Sequence, residues 1–307
     1  MIYSSTITAE IRDKIDGLKK SLNAVLVAHN YQRPEVQDIA DYVGDSLELA
    51  RICTRVDAEV IVFAGVHFMA ESAYILSPQR TVFLTEKEAG CPMADMITAD
   101  DLIEWKRRYP KAAVVTYVNS SAEVKALSDA CCTSANGVEV VESMPQDEIL
   151  FVPDQNLGHY ISTKTNKKMI LYPGFCPPHN RVLPKHIDLA REQHPDAVVL
   201  VHPECTPEVI AKADAALSTS QMVRYATESD AGTFIIGTEE GLLHRLRKDN
   251  PQKTFHLLMQ GLVCPNMKKT TLESVVKTME QRRNRVTVPE EVRAKAKLAL
   301  DRMIAVA

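Results

Sequence analysis

Short unbroken apolar runs alternate along the chain with longer amphipathic stretches. Three of the runs lead to a polar ring: Val25-Leu26-Val27-Ala28-His29, Val114-Val115-Thr116-Tyr117 and Val198-Val199-Leu200-Val201-His202. A second run follows each, Val60-Ile61-Val62-Phe63, Ile149-Leu150-Phe151-Val152 or Phe234-Ile235-Ile236. A third follows that, Val82-Phe83-Leu84, Met169-Ile170-Leu171 or Phe255-His256-Leu257-Leu258. Runs of this length read as strands and the amphipathic stretches as helices, so the pattern predicts β-α-β units, hence parallel sheets with covering helices. Helices are predicted from Glu10 to Lys20, Asp100 to Arg108 and Lys185 to Gln193, each ahead of the first strand of its set. Two more are predicted from Thr271 to Arg282 and from Pro289 to Ala305.

The three sets keep register. Counted from His29, Tyr117 and His202, the sixth residue on is Glu35, Glu123 or Glu208, and the next is Val36, Val124 or Val209. The twelfth is Asp41, Asp129 or Asp214, and the seventeenth is Ser46, Ser134 or Thr219. Agreement at several offsets without a gap argues for one unit present three times, with a period of 85 to 88 residues. The expected fold is α/β: three similar three-layer α/β/α domains with parallel sheets around a pseudo-threefold axis. The expected domains are residues 1–110, 111–194 and 195–307, with the Thr271 to Arg282 helix packing back on the first copy to close a ring.

Parallel sheets bind ligands beyond the carboxyl ends of their strands. A threefold arrangement would aim the ends at His29, Tyr117 and His202 into one central cavity. Each copy also carries a Cys-Pro pair after its third run, at Cys91, Cys176 and Cys264. Three convergent thiolates suit zinc, copper(I) or an iron–sulfur cluster, and three ligands leave one position open for chemistry. The plainer reading of any single cysteine is a buried thiol, and it is the reading adopted for Cys53, Cys131, Cys132 and Cys205.

Ser46, Ser134 and Thr219 stand at the start of helix-like segments. They read as N-caps, or as hydroxyls beside helix N-termini that hold an anionic group. Two residues after the ring positions the copies diverge, to Tyr31, Asn119 and Glu204. One cavity that needs different chemistry from each wall would diverge there. His29, Tyr31, Tyr117, His202 and Glu204 then form a set of proton donors and acceptors, and His179, three residues after Cys176, joins the candidates. His186 and His194 fall on a helix expected to be exposed, and read as solvated.

Composition narrows the class. The 307 residues are 45% hydrophobic and 25% charged, with a net charge of -4, which excludes a disordered chain, a coiled coil and a collagen-like fibre. No basic stripe suggests a nucleic-acid partner, and no apolar run is long enough to span a bilayer. Met1 to Thr6 carries no leader-like pattern, so a cytoplasmic protein is expected. Seven cysteines, an odd number, are expected to stay reduced, and none forms a C-x-x-C pair. Dinucleotide and P-loop glycine motifs are also absent from the sequence.

The chain resembles the quinolinate synthase family over nearly its whole length. The resemblance rests on His29-Asn30-Tyr31-Gln32, Gly44-Asp45-Ser46, the stretch from Phe63 to Glu71, Tyr117-Val118-Asn119-Ser120, His202-Pro203-Glu204-Cys205, Ser218-Thr219-Ser220-Gln221-Met222 and Asn266-Met267-Lys268-Lys269. It implies three α/β domains around a pseudo-threefold axis. The implied reaction condenses iminoaspartate with dihydroxyacetone phosphate to quinolinate, phosphate and water, within NAD biosynthesis. It also implies a [4Fe–4S] cluster on Cys91, Cys176 and Cys264 whose open iron acts as a Lewis acid. His29, Tyr31, Tyr117, His202 and Glu204 would move protons and orient substrate, Asn119 and His179 would line the cavity, and Ser46, Ser134, Ser218 and Thr219 would hold carboxylates or phosphate. The imine implies functional coupling to an L-aspartate oxidase or aspartate dehydrogenase. Some family members carry further cysteines near the last ligand. Here Cys264-Pro265-Asn266-Met267 has one, so disulfide control at that place is not expected.

Overall fold

The computed structural model describes residues 5–306, with side chains from residue 9. Met1 to Ser4, within the stretch read as lacking a leader, and Ala307 lie outside the described residues. The apolar runs form three sheets. The first contains β1 (Ala24–His29), β2 (Tyr42–Gly44), β3 (Val60–Ala64) and β4 (Thr81–Leu84). The second contains β5 (Ala113–Tyr117), β6 (Ala130–Cys132), β7 (Glu148–Val152) and β8 (Lys168–Leu171). The third contains β9 (Val198–Val201), β10 (Ala215–Ala216), β11 (Thr233–Gly237) and β12 (Thr254–Leu257). A short β13 (Arg285–Val286) adds an antiparallel edge to the first sheet beside β4.

All three sheets share one strand order, β2-β1-β3-β4, β6-β5-β7-β8 and β10-β9-β11-β12, and the pairs within each are parallel. The register repeats as well: Val25 pairs with Ile61, Ala113 with Ile149 and Val198 with Phe234. The strands read as continuous apolar runs because both faces are covered. In β1, Val27 enters the core shared with the second sheet, while Leu26 and Ala28 pack on the other side against Ile15, Val275 and Met279 of the helices Ser5–Leu22 and Leu272–Gln281. Val199 and Leu200 divide in the same way between the two cores of the third sheet. The last helix, Glu290–Ala305, lays Ala296, Leu300 and Met303 into the core between the first two sheets.

The repeated aspartates have a local cause. Asp41, Asp129 and Asp214 each accept the N–H of a first-strand residue, Leu26, Val114 or Val199, at 2.7, 2.8 and 2.7 Å. Their own N–H groups donate back to the carbonyls of the same residues at 2.8 to 2.9 Å. This clasp sets where the second strand of each copy starts beside the first. Asp41 and Asp214 also meet Lys19 and Arg191, so Asp129 offers the clasp most nearly alone. We expect Asp129→Ala to lower unfolding stability by about 1–3 kcal/mol, since the N–H of buried Val114 loses its acceptor. An unchanged urea midpoint would remove the clasp from the account. Glu35, Glu123 and Glu208 lie in the first turns of short helices, where a negative charge suits the helix dipole.

Candidate active site

From β1, β5 or β9 the chain first adds a strand on one side and then crosses to the other, so each sheet has a switch point between β1 and β3, β5 and β7, or β9 and β11. The loops that leave these strands meet at one cavity with about 720 Å³ of empty space counted out to its mouth. Every predicted site residue except Ser218 lines it, the three Cys-Pro cysteines included. Cys53, Cys131, Cys132 and Cys205 are buried elsewhere.

Cys176 is the N-cap of the short turn Pro177–Asn180, and Cys91 and Cys264 each stand three residues ahead of a tight helical turn, at Ala94–Met96 and Met267–Lys269. Burial pushes the Cys91 thiol up to about 12 and raises Cys176 and Cys264 too. Backbone N–H groups oppose this, from Ala94 and Met93 toward Cys91, His179 toward Cys176, and Met267 and Asn266 toward Cys264. Among the described residues, the three sulfurs are not a group whose ligand atoms all lie within 4.8 Å of one another.

His29 and His202 are held alike. The N–H of the residue two places on donates to Nδ1, from Tyr31 at 3.1 Å and from Glu204 at 3.3 Å. An accepting Nδ1 leaves the ring hydrogen on Nε2. Burial, with the charges of His202 and Lys268, brings His29 down to about 3, although Glu204 opposes it. Burial, with His179, brings His202 down to about 4 against the same opposing carboxylate. Both rings are therefore neutral donors at neutral pH, and His202 Nε2 reaches Ser134 Oγ at 3.2 Å. Their folded pKa values lie below the free value of 6.5, so the unfolded chain takes up protons that the folded one refuses. Stability is then full above about pH 6.5 and falls as the pH drops toward 4 and 3. We expect the metal-free protein to melt lower at pH 4.5 than at pH 7, with a shallower decline in His29→Gln. A pH-independent Tm over that window would contradict it.

A line of hydrogen bonds crosses all three copies. Tyr31 Oη lies 2.5 Å from Thr238 Oγ1, and Thr238 Oγ1 lies 2.9 Å from His179 Nε2. His179 Nδ1 lies 2.6 Å from Glu204 Oε2, and Tyr117 O–H donates to Glu204 Oε1 at 2.6 Å. Burial alone would raise the Glu204 carboxyl, but His202, His179 and the Tyr117 hydroxyl hold it well below the usual range. Burial, reinforced by that carboxylate, keeps both tyrosines protonated, far above their ordinary value. The line can carry a proton from Tyr31 toward Glu204.

The reading of the hydroxyls needs correction. Ser46 and Thr219 are first-turn residues, and the N-caps are Asp45 and Ser218. Asp45 Oδ1 already takes the N–H groups of Leu47 and Glu48, and Ser218 Oγ takes that of Gln221. Ser218 is fully buried as a cap and does not face the cavity. Ser134 starts no helix, because the next one begins at Gly137. Ser46, Ser134 and Thr219 nevertheless line the cavity, and Thr219 already accepts from Asn30 Nδ2 at 2.9 Å. Asn119 Oδ1 is buried there with no partner, the kind of atom a ligand donor satisfies. Outside the cavity, His194 is half-buried and stacks on His256 at 3.7 Å rather than standing free in solvent.

Thr238, Glu239 and Lys268 join the site from outside the predicted set. Glu239 is fully buried and accepts the Cys264 N–H at 3.2 Å and the Gly241 N–H at 2.7 Å. Lys268 joins that carboxylate to the Tyr31 carbonyl at 3.0 and 2.7 Å. A Cβ on Gly241 would fall 2.7 Å from the same carbonyl, so glycine lets the third copy press on the Tyr31 loop. The sequence holds one signal for Glu239: it and Asp154 stand at the same offset past β11 and β7, beside the switch point.

Three like sheets that turn thiols, imidazoles and phenols toward one buried carboxylate form the kind of shared cavity in which α/β enzymes bind their substrates. The family model described as Quinolinate synthetase A protein (NadA) matches residues 13–305, and the chain belongs to the quinolinate synthase family. A "Quinolinate synthase" of Dehalococcoides mccartyi is 56% identical over 299 residues, 97% of this chain and 99% of the relative. One of Alkaliphilus metalliredigens is 54% identical over 293 residues, 95% and 97% of the two chains. "Quinolinate synthase 1" of Methanosarcina acetivorans is 52% identical over 298 residues, 97% and 98%. Among the described residues no helix is long and apolar enough to cross a membrane.

Proposed function

We propose that the chain condenses iminoaspartate with dihydroxyacetone phosphate to quinolinate, phosphate and water, on a [4Fe–4S] cluster held by Cys91, Cys176 and Cys264. With one phosphate and two waters released, the atoms balance without an oxidant or reductant. The observation that carries the reading is the hydrogen-bonded line from Tyr31 to Glu204 beside the three thiols. The donor set fits a cluster: thiols at turns whose N–H groups face the sulfur suit iron–sulfur ligation. Three thiolates on one zinc ion would set the sulfurs about 3.8 Å apart, and among the described residues the three sulfurs do not all lie within 4.8 Å of one another. When bound, the group supplies an open iron as Lewis acid for a substrate oxygen or nitrogen.

The residues divide the remaining work. Forming the ring requires loss of phosphate, a keto–aldehyde isomerisation and the expulsion of water, and each step moves protons. Glu204, ionised between Tyr117 and His179, accepts a proton. Tyr31 and Tyr117 donate, and Thr238 with His179 passes the proton between Tyr31 and Glu204. Neutral His29 and His202 donate from Nε2 to developing oxyanions, as in other sites that use imidazole as an electrophile. Ser46, Ser134, Thr219 and Asn119 hold carboxylates or phosphate. Domains at residues 1–110, 111–194 and 195–307, coupling to an oxidase or dehydrogenase that supplies the imine, and a cytoplasmic setting belong to the same proposal. The test is iron, acid-labile sulfide and quinolinate formation on protein purified without oxygen. About four irons per chain with turnover support it, whereas zinc without labile sulfide refutes it.

A further inference from the structure

Cys176 and His179 stand three residues apart at one short turn, and Glu204 reaches them from the loop after β9. Among the described residues they are the one group of three whose ligand atoms all lie within 4.8 Å of one another. His179 Nδ1 is 3.2 Å from Cys176 Sγ and 2.6 Å from Glu204 Oε2. A tetrahedral ion bound at zinc's usual bond lengths sets such atoms about 3.2–3.8 Å apart, so the His179–Cys176 pair already stands near that range and the His179–Glu204 pair would open slightly around the ion. Thiolate, imidazole and carboxylate are a donor mixture that zinc accepts.

The surroundings are those of a held site. His179 Nε2 faces Thr238 Oγ1 at 2.9 Å, and the second Glu204 oxygen is fixed by the Tyr117 hydroxyl at 2.6 Å. Outer partners of this kind orient metal ligands. The His202 ring stacks on His179 at 4.8 Å and fixes its plane. His179 and Glu204 are 1% and 3% exposed, yet both line the cavity, so a fourth position would open onto it.

We propose that the protein without an iron–sulfur cluster binds one divalent ion of zinc's preferences at Cys176, His179 and Glu204. On binding, the Cys176 thiol gives its proton to solvent. The imidazole then carries its hydrogen on Nε2, facing Thr238 Oγ1, which accepts as readily as it donates. The ion and the cluster share Cys176, so each excludes the other, and the ion also removes His179 and Glu204 from the proton line. Zinc would therefore compete with cluster assembly and leave the site inactive. That exclusion rests on the proposed function; the binding of the ion does not.

The experiment titrates chelator-stripped protein with Co²⁺ without oxygen, follows thiolate-to-cobalt absorption, and then displaces the cobalt with Zn²⁺. One cobalt per chain is expected. His179→Ala and Glu204→Gln should each weaken binding by at least about tenfold, the scale on which even outer partners act. Cys176→Ser should abolish the absorption, and Cys91→Ser and Cys264→Ser should bind like wild type. Circular dichroism of each metal-free variant checks folding, with His179→Gln and Glu204→Asp as gentler replacements. Wild-type affinity in the folded His179 and Glu204 variants, or lost binding in Cys91→Ser or Cys264→Ser, would overturn the proposal. Iron and sulfide on the anaerobically purified protein are measured separately, so a missing cluster and a missing cobalt site are told apart.

Discussion

Replacing Cys91, Cys176 or Cys264 by serine is expected to empty the protein of iron, from about four per chain to less than one. Each thiol comes from a different copy, and each sits where backbone N–H groups face its sulfur. Burial raises all three pKa values, so without a cation the thiols keep their protons. A soft cation group is what makes three neighbouring thiolates stable in that place. Serine is a harder ligand and holds its proton far more tightly. Cys53→Ala and Cys132→Ala should keep the iron, because both sulfurs are buried away from the cavity. Elemental analysis with labile sulfide reads the outcome. Full iron in any one of the three serine variants would break the convergence of the copies on one group.

Glu204→Gln should keep the iron and lose turnover, with kcat down by about 10²–10⁴ and a smaller change in KM. The amide preserves shape and can still accept from Tyr117. It cannot take up a proton, and it removes the negative charge that helps to hold Tyr31 and Tyr117 protonated. A spectrophotometric alkaline titration should therefore show tyrosine ionising at lower pH in the variant than in wild type. A merely structural role for Glu204 would not move that midpoint in this direction in a folded protein. Wild-type kcat in the variant would take Glu204 out of the proton-transfer scheme. Thr238→Val interrupts the same line at one hydroxyl and keeps the charge. It should lower kcat and leave the tyrosine midpoint closer to wild type, separating proton passage from electrostatics.

Strand pattern, repeat and offsets were legible in the sequence because their causes are local. A parallel strand buried on both faces must be apolar throughout, and the aspartate clasp closes at one fixed distance along the chain, 15 residues in every copy. The same repetition placed the polar rings and the Cys-Pro turns at strand ends, from which one shared cavity followed. The N-cap reading missed by one residue at Ser46 and Thr219, because serine or threonine at a helix start suits the cap and the first turn alike, and it missed at Ser134, where the next helix begins only at Gly137.

Partnership between the copies was decided only by the tertiary structure. Tyr31 meets Thr238 across 207 residues, Tyr117 meets Glu204 across 87, and Lys268 meets the Tyr31 carbonyl across 237. An offset shared by three copies says which residues occupy equivalent places. It does not say which copy faces which, nor how far apart the thiols stand. Those depend on how the sheets pack around their common cavity, where sequence distance carries no information about contact.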